Sequence, residues 1–73
     1  MTTYRVGMVL ESKDHAYEPG RRIRLVAPEL GDSVGARRHW GAVTVENPRR
    51  PHRVGASSLF SEQTLRAKWA EVS

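Results

Sequence analysis

Apolar residues recur at every second position in short runs, each cut off by proline or glycine, and this leaves the chain few ways to fold. Val6, Met8 and Leu10 alternate with Gly7 and Val9, Ile23 and Leu25 with Arg22 and Arg24, and Val43 and Val45 with Ala42 and Thr44. A two-residue period is that of a strand with one buried face. Pro19-Gly20, Pro28 and the Pro48 to Pro51 stretch punctuate the runs, because proline lacks a ladder donor and glycine accepts positive φ. The pattern predicts strands at about 5–12, 21–27, 38–46 and 52–58. Val54 and Ala56 are expected inward on the fourth strand. On the third, taking Val43 and Val45 as the inward pair puts Gly41 and His39 with them and Trp40, Ala42 and Thr44 on the opposite face.

The C-terminal segment has two readings. Ser61 after Phe60 suits a helix N-cap with a hydrophobic staple, and Leu65, Trp69 and Val72 keep helical spacing. Leu65, Ala67 and Trp69 also fit a strand. A turn at about 58–63 followed by a strand at about 65–72 is favoured, because pairing both ends of the chain removes an open edge from a small sheet.

At 73 residues the chain has room for one domain, 1–73, which buries only ~60% of the surface its unfolded form exposes. With no cysteine, neither disulfides nor thiolate metal sites can staple it. The longest stretch without a charge or histidine, Val54 to Ser61, is far short of the ~20 residues of a membrane helix. Val6 to Leu10 is too short for a signal-peptide core. A cytoplasmic location is the expectation.

Twelve Lys and Arg stand against eight Asp and Glu. Residues 1–36 carry five of each sign, whereas residues 37–73 carry seven basic and three acidic groups, so the whole excess lies in the second half. Such asymmetry suits an anionic partner. Ten of the twelve cations are Arg, whose planar fork matches phosphates, carboxylates and aromatic faces.

Five short strands, a long first loop, a polar second loop, a proline-containing hairpin and a brief turn before the last strand resemble the Src-homology-3-like small β-barrels, of the kind found in small actinobacterial or phage proteins. The resemblance is one of element order and spans about residues 5–72. Trp40-Gly41-Ala42 looks like the tryptophan that opens the corresponding strand and lines the proline-peptide groove of true Src-homology-3 domains. The Ala-Leu-Tyr-Asp-Tyr signature is missing, with Tyr17 alone in the loop, and Leu59-Phe60-Ser61 stands where Pro-Asn-Tyr is usual. The resemblance implies an all-β, five-stranded barrel with a short turn or helix before the C-terminal strand.

Catalytic chemistry finds little support. His15, His39 and His52 lack metal-ligand spacing, and Asp14, His15 and Glu18 read as a solvated loop. Ser57-Ser58 has no nucleophile elbow, and Gly31 to Gly35 lacks the lysine of a phosphate loop. So small a domain offers little depth for a ~300 Å³ ligand pocket. The expectation is a non-enzymatic module without cofactor, metal or small-molecule substrate.

Basic and aromatic residues are the remaining constellation. Arg22, Arg24 and Trp40 are expected on one outward face, with Arg37, Arg38, Arg49, Arg50 and Arg53 adjoining. Arginine forks hold backbone phosphates and a tryptophan face accepts a stacked base. The competing reading packs Trp40 over an end of the barrel with arginine stems around it, and leaves Arg49 and Arg50 as harmless charge on a loop tip. The functional expectation is nucleic-acid binding, chiefly through phosphates. The alternative is a protein-interaction module that docks on a host protein or self-associates through the same residues.

Overall fold

The computed structural model describes residues 4–13, 19–30 and 38–72, with Glu29, Leu30 and Arg38 described by backbone alone. Five antiparallel strands form one sheet: β1 (Val9–Ser12), β2 (Arg22–Leu30), β3 (Arg38–Glu46), β4 (Ser57–Ser61) and β5 (Trp69–Glu71). A helix, α1 (Glu62–Lys68), precedes the last strand. The order across the sheet is β4-β3-β2-β1-β5. First and last strands pair, Leu10 opposite Glu71 and Ser12 opposite Trp69. No ladder joins β4 to β5 among the described residues, so the sheet is not closed.

The core is Met8, Leu10, Ile23, Leu25, Trp40, Ala42, Leu65 and Trp69, with Tyr4 and Phe60 packed against it. Ile23 and Leu25 face inward as their alternation predicts. Arg21 follows the same period, and its guanidinium lies 5.9 Å from the Phe60 ring centre and 5.5 Å from that of Trp69, donating to the Thr44 hydroxyl at 3.1 Å. A charged group is thus held beside the core by aromatic faces and one hydroxyl.

β3 has the expected bounds and the opposite facing. Trp40, Ala42 and Thr44 are buried, while Val45 is 37% exposed. Alternation sets the period of a strand but not which face is wet. Trp40 removes far more apolar area from water than Val45, and its N–H finds an acceptor, so it takes the core. The ladder also slips at this valine: Arg22 faces Glu46 and Ile23 faces Thr44, which leaves Val45 unpaired in a bulge. A second slip leaves Val26 unpaired between Leu25 opposite Ala42 and Ala27 opposite Gly41. Bulges bend a strand and increase its twist, which curls the sheet around its core.

Other boundaries moved for local reasons. β1 starts at Val9 rather than at residue 5, because Met8 N–H closes a turn onto the Arg5 carbonyl at 3.2 Å and Gly7 takes φ +90°. Val6, expected inward, is therefore 63% exposed. β2 does not stop at Pro28 but runs to Leu30, with Pro28 opposite Trp40. β1 accompanies β2 only as far as Leu25, and on an edge left open a residue without N–H is tolerated. β4 begins at Ser57 rather than 52, because Pro51–Arg53 forms a 3₁₀ turn and Gly55 at φ +95° swings the chain back to Thr44. Val54 and Ala56, expected inward, are exposed.

The favoured turn at 58–63 and strand at 65–72 give way to the helical reading as far as Lys68: residues 57–61 are strand β4, 62–68 are helix, and Trp69 returns to strand. Ser61 is the N-cap, its hydroxyl accepting from Thr64 N–H at 3.1 Å, and Leu65 is fully buried. The segment 65–68 is the end of α1 rather than strand, and β5 is only Trp69–Glu71.

Candidate functional site

β2 and β3 run antiparallel with Arg22 opposite Glu46, so the start of β2 lies at the end of β3 from which the loop carrying Arg49, Arg50 and Arg53 departs. Arg24 follows two residues later on the outward face, between Val9 of β1 and Val43 of β3. Five arginines thus share one end of the sheet, against the carboxylates of Glu11 and Glu46.

Their environments differ. Arg22 Nε donates to Glu11 Oε1 at 2.9 Å, across the β1–β2 ladder. That hydrogen bond, then the charge of Glu11 and that of Glu46, hold its guanidinium above its ordinary pKa. Arg22 is therefore already engaged in an ion pair. Arg24, Arg49 and Arg53 are exposed, and Arg50 is half-buried. The loop has a built base: buried Asn47 accepts the Arg50 N–H on its Oδ1 at 3.1 Å and on its carbonyl at 3.2 Å. Arg53 N–H then donates to the Arg50 carbonyl at 2.9 Å.

Two members of the expected constellation do not join it. Trp40 is 3% exposed and faces the core, so it offers no ring to a stacked base; its Nε1 donates to Glu62 Oε2 at 2.8 Å, tying β3 to the first turn of α1. Arg38 opens β3, eight residues from Glu46 and five from Val43, which at ~3.3 Å per residue puts its backbone roughly 26 Å along the strand from Arg22 and roughly 17 Å from Arg24. Its side chain lies outside the described residues, as do Arg37, the Asp14, His15 and Glu18 group, Tyr17 and the Gly31 to Gly35 loop.

The arginine face also carries apolar groups absent from the sequence reading. Leu59 is 57% exposed opposite Gly41, and Val26 is 42% exposed with its Cγ2 3.7 Å from where a Gly41 Cβ would stand. The bulges that expel Val26 and Val45 from the ladder have no signature in the sequence.

Among the described residues no group of three or more His, Asp or Glu is placed to hold a metal ion, and no helix is long and apolar enough to cross a membrane. No family model, curated protein or solved structure matches this chain.

Proposed function

We propose that this protein is a non-enzymatic nucleic-acid-binding module of the cytoplasm, which holds backbone phosphates on the end of its sheet that bears Arg24, Arg49, Arg50 and Arg53, with Arg22 behind them in its pair with Glu11. The carrying observation is the β2–β3 register, which brings arginines from two distant stretches of sequence to one end of the sheet. Stacking on Trp40 is no part of the reading, since that ring is buried. The strand order, the pairing of first and last strands and the short helical connection before β5 support assigning the fold to the Src-homology-3-like small barrels. A fold of that kind does not by itself specify a ligand.

The test is fluorescence anisotropy of labelled single- and double-stranded oligonucleotides. With about four phosphate contacts, affinity falls roughly a hundredfold between ~50 and ~200 mM salt. Replacing Arg24, Arg49 and Arg53 together with Ala removes about three of those contacts and flattens the slope accordingly. All three are exposed, so folding is spared. Absence of binding at low salt, or an unchanged slope in the triple variant, overturns the assignment.

One observation favours a second reading. Val26, Val45 and Leu59 are exposed near Arg24, and an apolar patch beside arginine is the composition of a protein-docking surface. Binding of that kind is weakly salt-dependent and is lost in Leu59→Ser rather than in the arginine variant.

A further inference from the structure

A cleft of about 260 Å³ opens between the start of the chain, β1, the end of α1 and β5, remote in the strand order from the arginine-bearing loop. Its lining is mainly polar, from Tyr4, Lys13, Arg66 and Glu71, with an edge of Trp69, 8% exposed, as its apolar part and Leu10 buried beneath. Backbone pairing brings Lys13 to the end of α1, its N–H donating to the Lys68 carbonyl at 2.8 Å and its ammonium to the Arg66 carbonyl at 3.5 Å, and both Lys13 and Arg66 line the cleft. The lining carboxylate, Glu71, is taken by Arg5 at 2.8 Å. Glu62, one turn before Arg66 on α1 and near enough to raise the Tyr4 pKa, accepts from Trp40 Nε1 at 2.8 Å. Among the described residues neither Lys13 nor Arg66 has a carboxylate partner.

We propose that this cleft binds a phosphomonoester, its dianion between Lys13 and Arg66 and hydrogen-bonded by the Tyr4 hydroxyl, with the body of the ester beside the exposed edge of Trp69. Two cations lining one cleft without a carboxylate partner favour an anion between them. An arginine fork beside an ammonium suits a group with several acceptor oxygens. A bare phosphate leaves much of the 260 Å³ unfilled, which is room for the body of an ester. The Tyr4 phenol, its pKa raised from 10.0 by burial and by the charge of Glu62 against that of Arg66, is a donor at neutral pH as any phenol is. Both cations also sit favourably at the C-terminus of α1, Arg66 on its last turn and the Lys13 ammonium on the Arg66 carbonyl, which fixes them at the mouth of the cleft. The same chemistry comes from a free mononucleotide or from the 5′ end of a strand, and the site is independent of the arginine face.

The test is a two-dimensional amide NMR titration of the full chain with adenosine monophosphate, orthophosphate, and a short oligonucleotide with and without a 5′ phosphate. Saturable shifts at Tyr4, Lys13, Arg66 and Trp69, at least about tenfold tighter for the nucleotide than for orthophosphate, are expected. Lys13→Gln combined with Arg66→Gln should weaken binding by about tenfold or more with the melting temperature retained, since neither charge supports the core. A preference for the 5′-phosphorylated strand over the free nucleotide identifies the strand end as the source, and the reverse identifies the free nucleotide. No saturable shift by about 10 mM, shifts confined to Arg24, Arg49 and Arg53, or full affinity in the double variant overturns the site.

Discussion

Trp40→Phe separates a structural tryptophan from a surface one. The indole is 3% exposed, and its N–H donates to the Glu62 carboxylate at 2.8 Å. A hydrogen bond to a charged group contributes ~1.5–3 kcal/mol, and the lower figure applies because half-buried Glu62 regains water when the donor goes. Losing the second ring forfeits roughly 40 Å² of apolar burial, about 1 kcal/mol, and the residual cavity adds to it. The sum is ~2–3 kcal/mol. A 73-residue domain has about 4–11 kcal/mol in all, so the variant stays folded. Trp40→Ala, at ~3–5 kcal/mol, threatens folding itself, which makes Phe the informative change. Urea unfolding followed by Trp69 fluorescence and far-ultraviolet dichroism should show the loss, with a melting temperature lower by roughly 10–20 °C. Oligonucleotide affinity, measured below that temperature, should stay within about twofold of the parent, because a buried ring stacks on no base. In a double-mutant cycle with Glu62→Gln, a coupling of about 1 kcal/mol is expected for the direct bond. A stability loss under ~0.5 kcal/mol, or lost affinity at unchanged stability, would refute the core assignment of Trp40.

Ser61→Ala removes the acceptor for Thr64 N–H and should cost about 1 kcal/mol in the same urea assay, rescued by Ser61→Asp, whose carboxylate caps equally well. Tyr4 titrates above its ordinary pKa of 10.0 because it is buried, so its contribution to stability is complete below pH 10 and is lost as pH rises through the folded-state value. Melting temperature should therefore fall more steeply on the alkaline side of pH 10 in the parent than in Tyr4→Phe, and parallel curves would contradict the burial argument.

Period-two alternation was enough to read an all-β chain, the bounds of β3, the inward facing of Ile23 and Leu25, and the exposure of Arg24, since these follow from the chain's own pattern of apolar and polar groups. The Ser61 cap was likewise written locally, although a strand competed for the same residues until packing chose. What local sequence does not contain is the sign of a face. Trp40 and Val45 lie on opposite sides of one strand, and only the competition for a single small core, together with an acceptor on α1, decides which of them is buried. The bulges at Val26 and Val45 belong to the pairing of two strands rather than to either one, so the apolar patch they expose came only with the assembled sheet. The same holds for the two candidate sites. Arg24 and Arg53 come to the same end of the sheet through the β2–β3 register, and Tyr4, Lys13 and Arg66 to one cleft through the pairing of β1 with β5, because contacts across many residues of sequence are set by which surfaces bury one another.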